Sequence, residues 1–266
     1  MSVEFVSASR VADVAACDAP LRLVDTFGRV ARDLRVSLTD RCNLRCSYCM
    51  PPEGLDWLPS EDTLTDAEVC RLVRIGREML GIRQVRFTGG EPLLRRGLEG
   101  IIAECAKLRT DEGEPLDLAL TTNALGLAKR AQGLKDAGLN RVNISLDSLD
   151  PEHFAAITRR DRLGDVLEGI EAAARAGLSP IKVNTLVLRG MNEADLPDLV
   201  DYCLDRGIEL RVIEQMPIGP ADTWDRQNIL TADEILHIMS TRHTLTPAPR
   251  EDPHSPAGRW IVDGDP

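Results

Sequence analysis

Leu34-Arg35-Val36-Ser37-Leu38-Thr39-Asp40-Arg41-Cys42-Asn43-Leu44-Arg45-Cys46-Ser47-Tyr48-Cys49 reads as a strand running into a loop, and the strand decides the architecture. Val36 and Leu38 share one face while Arg35, Ser37 and Thr39 share the other, the period-two pattern of a strand with one apolar side. Working outward, Val85 and Phe87 oppose Arg86 and Thr88, and Val142, Ile144 and Leu146 oppose Asn143, Ser145 and Asp147. Ile181 and Val183 stand opposite Lys182 and Asn184 in the same way. Strands are expected over 34–39, 84–88, 117–122, 141–147, 181–188 and 209–215, with helices over 66–80, 94–109, 128–137, 163–176 and 193–206. Thr65 with Glu68 forms a capping box, Gly138 and Gly177 sit just past helix ends, and Asn192 is placed to cap the helix after it.

Strands alternating with helices imply a parallel sheet with helices outside it. Six units are fewer than the eight of a closed barrel. The expected fold is therefore α/β, a partial, open six-stranded parallel βα barrel followed by the start of a C-terminal extension. Parallel strands buried on both faces read as continuous apolar runs; alternation here turns a polar face inward, so the barrel should enclose a polar cavity. An antiparallel sheet with one wet face would alternate too, but helical connections suit parallel pairing. The expected divisions are an N-terminal extension over 1–32, the barrel over 33–216 and an incomplete C-terminal region over 217–266. Within the last, 246–266 is rich in Pro and polar residues and reads as loosely structured.

At 266 residues the chain can bury a substantial core. A formal net charge of −11 argues against a nucleic-acid partner or an anionic membrane surface, because no basic field would gather phosphates. An anionic substrate would need locally placed Arg and Lys. No apolar run approaches membrane-spanning length and the first residues lack a signal peptide's apolar stretch, so a cytoplasmic location is expected. The seven cysteines are an odd number, three of them within eight residues, which suits a reducing compartment and a metal site better than a disulfide framework.

Thiolates hold iron–sulfur clusters, usually four to a cluster. Cys42, Cys46 and Cys49 on one loop could hold three corners and leave one iron open to S-adenosylmethionine, a pairing associated with radical chemistry. The loop follows a strand, and barrel active sites lie at the C-terminal ends of strands. Other uses of the thiols compete. A structural zinc site would need a fourth ligand such as Cys70, which falls inside an expected helix. A redox pair of Cys46 and Cys49 leaves Cys42 unexplained, and ordinary buried thiols remain possible. Cys17, Cys70, Cys105 and Cys203 are isolated and read as incidental or buried.

Cys-x3-Cys-x2-Cys with an aromatic residue before the last cysteine resembles the signature of the radical S-adenosylmethionine superfamily. The flanking residues resemble one branch of it, the GTP 3′,8-cyclase family of molybdenum cofactor biosynthesis. The likeness runs in order through Val85-Arg86-Phe87-Thr88-Gly89-Gly90-Glu91-Pro92-Leu93-Leu94-Arg95, Leu120-Thr121-Thr122-Asn123 and Asn143-Ile144-Ser145-Leu146-Asp147-Ser148-Leu149. Lys182-Val183-Asn184-Thr185 and Glu214-Gln215-Met216-Pro217 continue it, so that it spans about 27–260.

The resemblance implies that Cys42, Cys46 and Cys49 ligate a 4Fe-4S cluster. Tyr48, Gly90, Ser145 and Met216 would contact S-adenosylmethionine, with 89–92 letting backbone approach its amino group. It also implies that Arg35, Arg86, Thr121 and Lys182 bind GTP, and that a reduced electron donor is needed; a homodimer is possible. The implied reaction abstracts hydrogen from ribose C3′ and joins that carbon to guanine C8, giving 3′,8-cyclo-7,8-dihydroGTP. Arg35, Arg86 and Lys182 are cations expected to face into the barrel, where a bare charge is costly and a triphosphate would compensate it; pairing with Glu91 or Asp147 would do so too. Family members carry a second cluster on three C-terminal cysteines. Here the last cysteine is Cys203 and 258–264 resembles the strand and turn that precede that cluster. The chain thus reads as C-terminally truncated, able to cleave S-adenosylmethionine but scarcely to cyclise GTP. Two alternatives are a radical enzyme acting on a peptide or other small molecule, and a non-catalytic cluster-binding module.

Overall fold

The computed structural model describes residues 21–216, 229–249 and 257–264. Cys17, most of the expected N-terminal extension, Pro217 and much of the C-terminal region lie outside them.

Six strands pair in sequence order: β1 (Asp33–Ser37), β2 (Gln84–Thr88), β3 (Asp117–Thr122), β4 (Arg141–Ser145), β5 (Ile181–Leu186) and β6 (Glu209–Ile213). Every neighbouring pair is parallel, and β1 and β6 do not meet, so the barrel is open as expected. The alternation sorts the faces. Val85, Phe87, Val142, Ile144 and Val183 are buried against the helical layer, while Arg35, Arg86 and Lys182 occupy alternate positions on the inner side.

The helices are α1 (Asp66–Leu80), α2 (Leu98–Cys105), α3 (Leu127–Asp136), α4 (Pro151–Thr158), α5 (Leu163–Arg175), α6 (Leu196–Leu204) and α7 (Ala232–Ser240). α1 begins as expected: Glu68 N–H donates to Thr65 Oγ1 at 3.3 Å, and Thr65 N–H to Glu68 Oε2 at 2.8 Å. Gly81 ends it at φ 69°, a left-handed turn that glycine takes without strain. The expected helix over 94–109 is shorter, because Pro92–Leu94 forms a 3-10 turn before α2 starts. Asn192 does not cap α6. Its amide instead donates to the carbonyls of Asp147 and Leu186 at 2.6 and 2.9 Å and accepts from Leu188 N–H at 2.7 Å, tying the ends of β4 and β5 together.

Two helices escaped the reading. Asp150 accepts from the amides of Glu152 and His153 and Pro151 occupies the first helical position of α4, a start that the Asp-Pro pair signals. Thr231 and Glu234 form a capping box on α7. The tail differs from the expectation of loose structure: β7 (Leu245–Ala248) pairs antiparallel with β8 (Arg259–Val262), and α7 closes a small second core of Val187, Leu196, Val200, Leu230, Ile235 and Met239. Among the described residues no helix is long and apolar enough to cross a membrane.

Candidate active site

The cysteine loop leaves β1 and is gripped by the end of α4. Arg45 N–H donates to Thr158 O at 3.0 Å and Ser47 N–H to Ile157 O at 2.8 Å. Arg159, held at φ 56°, donates from Nη1 to the carbonyls of Arg45 and Met50, both at 2.9 Å. Arg45 in turn donates to Cys42 O at 2.7 Å. The loop is thus held by partners roughly a hundred residues away in sequence. Cys42 and Cys46 are half-buried, and Cys49 is exposed.

Burial pushes all three thiols up, Cys46 to about 12, where the charge of Asp147 adds to the shift and a hydrogen bond from Tyr48 opposes it. Each charged thiol would also disfavour its neighbours: Cys42 and Cys49 both act on Cys46. Such a site favours three thiolates only with a cation among them. No three His, Cys, Asp or Glu side chains among the described residues converge on a single-ion position. A donor set of three thiols on one loop suits a cluster, which gives each thiolate its own iron, better than a structural zinc site, which takes four ligands. Cys70 cannot complete a zinc site, since it lies on α1 beside Cys105, its Sγ 4.0 Å from Ile101 O. The residues therefore fit the cluster.

β2 delivers a second strand end to this loop. Gly90 N–H donates to Thr39 O at 2.6 Å and Glu91 N–H to Arg41 O at 2.7 Å. A Cβ at Gly89, whose φ is 148°, would collide with Thr39 O, and one at Gly90 with the carbonyls of Asp40 and Arg41. The glycine pair therefore has a role beyond any ligand: it lets backbone lie on backbone. Glu91 is fully buried and accepts from Leu93 N–H at 2.9 Å, Thr122 Oγ1 at 2.7 Å and Asn123 N–H at 2.7 Å. Burial raises its carboxyl and those bonds pull it back. Asn123 Nδ2 reaches Cys42 Sγ at 3.8 Å and Asn43 Oδ1 at 2.8 Å.

Tyr48 O–H donates to Asp147 Oδ2 at 2.8 Å, while Leu186 N–H donates to Oδ1 at 2.9 Å. Complete burial raises the Asp147 carboxyl to about 6. Ser145 is half-buried at the end of β4, and Met216 follows β6 with 55% of its surface exposed. Tyr48 and Gly90 adjoin the cysteine loop directly, and Ser145 and Met216 lie at or just beyond the C-terminal ends of β4 and β6.

The cations form a separate group on the inner face. Arg35 is in register with Arg86, Thr121 with Asn143, Asn143 with Lys182 and Lys182 with Glu209. A cavity of about 410 Å³ is lined by Gln84, Arg86, Asp117, Arg141, Lys182 and Arg211 among others. Gln84 and Asp117 begin their strands, so it opens at the N-terminal end of the sheet, opposite the cysteine loop. Lys182 pairs with Glu209 at 2.6 Å, and neither Glu91 nor Asp147 serves as its acid. Arg141 is forked onto Asp117. Arg86 is different. Its Nε is buried without a partner among the described residues, and burial together with Arg141, Arg35 and Arg211 disfavours its charge. Asn143 Oδ1, also on the inner face, is a second buried atom without a partner. Arg211 was missed in the sequence; its place two residues after Glu209 on β6 was the available signal.

An open parallel sheet with three spaced thiols on the loop after its first strand defines a class of cluster-bearing radical enzymes. The chain belongs to it, for the Radical SAM superfamily model matches residues 36–203. That superfamily works with a 4Fe-4S cluster and S-adenosylmethionine. Within it the chain is similar to the GTP 3′,8-cyclase of Corynebacterium glutamicum, 61% identical over 240 residues that cover 90% of this chain and 64% of that protein. It is 56% identical to the GTP 3′,8-cyclase of Rhodococcus opacus (strain B4), over 92% of this chain and 68% of that one. The chain thus spans 64% of the length of the first of these relatives. Among solved structures, Streptococcus suis SuiB bound to S-adenosylmethionine matches with a TM-score of 0.55 at 18% identity, over 68% of this chain and 38% of that chain. At that identity the likeness is one of fold.

Proposed function

We propose that this chain forms the cofactor- and triphosphate-holding part of a GTP 3′,8-cyclase in molybdenum cofactor biosynthesis, working in the cytoplasm with a reduced electron donor. The identity to two such enzymes supports the activity. The observation that carries the substrate is Arg86, a half-buried arginine whose Nε is buried without a partner among the described residues, on a face already crowded with cations. A buried guanidinium nitrogen without a hydrogen-bond partner is costly, and an anion bound beside it would offset that cost. A triphosphate supplies several, in the geometry a guanidinium forks onto.

Once bound, the cluster on Cys42, Cys46 and Cys49 and its S-adenosylmethionine supply a 5′-deoxyadenosyl radical. The protein's own work is placement. Tyr48, Gly90, Ser145 and Met216 hold the cofactor at the C-terminal end of the sheet, and Arg35, Arg86, Thr121 and Lys182 hold the triphosphate on its inner face. The ribose is thereby presented toward the cysteine loop, the kind of orientation that lowers a barrier by fixing reacting atoms. An anaerobic assay of the reconstituted chain tests this: 5′-deoxyadenosine release should increase when GTP is added. Arg86→Ala should need at least about tenfold more GTP for the same response while keeping its GTP-independent rate. Deoxyadenosine formation indifferent to GTP in both proteins would remove the nucleotide from the account.

A further inference from the structure

Glu209 stands apart from the other acids on the inner face. Asp117 spends its carboxylate on one guanidinium, Arg141, through Nε and Nη2 at 2.9 and 2.7 Å. Glu209 divides its own between two cations: Oε2 takes Lys182 Nζ at 2.6 Å and Oε1 takes Arg211 Nε at 2.8 Å. Both partners line the basic cavity. One contact follows from register, since Glu209 lies opposite Lys182 across the β5–β6 pair, and the other from alternation, since Glu209 and Arg211 share a face of β6. Its side chain is 41% exposed.

We propose that Glu209 is a built-in competitor for the triphosphate, a carboxylate that pairs with Lys182 and Arg211 at the cavity and limits how tightly any polyphosphate can be retained there. This rests on the triphosphate reading above. Without Glu209, neither Lys182 nor Arg211 would have an acid paired with it among the described residues. With it, an arriving phosphate must share those two cations with a fixed negative charge, and like charges at close range in a partly dry cavity repel appreciably. The reaction makes this useful. Joining ribose C3′ to guanine C8 leaves the triphosphate unaltered, so the cations that capture the substrate would hold the product equally well. Interactions made equally before and after the chemistry favour binding without favouring turnover. A competing carboxylate weakens both and speeds departure. Arg86, with no acid bonded to it among the described residues, remains the anchor that makes capture possible.

The test uses inorganic tripolyphosphate, which needs no contact to guanine or ribose, titrated into the reconstituted chain at low salt. Glu209→Gln keeps the size and removes the charge, and should bind on the order of tenfold more tightly than the unaltered chain, with a correspondingly slower dissociation. Glu209→Ala should also tighten, and melting curves establish that each variant is folded. Arg86→Ala should weaken binding with or without the Glu209 change. Ordinary binding by the unaltered chain with equal or weaker binding by both Glu209 variants would overturn this inference and leave the triphosphate reading intact. Absence of binding by the unaltered chain, unaffected by Arg86→Ala, would overturn the reading and this inference with it.

Discussion

Asp147 shows what a single side chain contributes to the cofactor end. It is fully buried, its two oxygens accept from Tyr48 O–H and Leu186 N–H, and its pKa is raised to about 6. The folded state therefore binds more protons than the unfolded state between pH ~4 and ~6, and stability falls as pH rises through that window. The loss is on the order of 3 kcal/mol by the size of the shift and is level above pH ~7. Melting temperatures of the cluster-free chain should show this decline, and Asp147→Asn should remove it; parallel pH profiles for the two proteins would contradict the assignment. At this scale the three cysteines were legible, because a cluster-binding triplet is a local pattern. Asn123, Arg159 and Glu209 were not. Asn123 meets Cys42 81 positions away and Arg159 meets Arg45 114 positions away, and no spacing rule spans such distances.

Among the elements, α4 and α7 carry the lesson. The end of α4 fixes the cysteine loop through Thr158, Ile157 and Arg159. Arg159→Ala should leave the fold standing yet loosen the loop, so that iron is lost severalfold faster to a chelator. Arg159→Gly, which relieves the left-handed backbone, should lose iron just as fast, since the guanidinium is what grips; retention restored by glycine would place the effect in the backbone. In α7, Thr231 accepts from Glu234 N–H, and Glu234 accepts back from Thr231 N–H at 2.9 Å while pairing with Arg189 at 2.7 Å. Thr231→Ala should cost about 1 kcal/mol of stability, read as a lower denaturation midpoint; an unchanged midpoint would show that the cap is redundant. Both helices had readable starts, Asp150-Pro151 and Thr231-x-x-Glu234. They were passed over because an eight- and a nine-residue helix show too few turns for a clear periodic pattern.

At the level of the molecule, six strand–helix units foretold an open parallel sheet and strand alternation its polar lining, since side chains on a strand must take opposite faces. It did not foretell where the polar groups gather. The rule that barrel sites lie at the C-terminal ends of strands holds for the cysteine loop, whereas the cation-lined cavity opens at the other end. One sheet thus separates the cysteine loop from the cation-lined cavity by the length of its strands, and the proposed chemistry depends on the loop holding a cluster with a free coordination position. Its most direct test is electron paramagnetic resonance of the anaerobically reconstituted, dithionite-reduced chain, with and without S-adenosylmethionine. The account predicts a 4Fe-4S signal that changes when S-adenosylmethionine is added and is absent when Cys42, Cys46 and Cys49 are replaced together by Ser. A reduced cluster whose spectrum is identical with and without S-adenosylmethionine, or one that survives loss of the three cysteines, would contradict it.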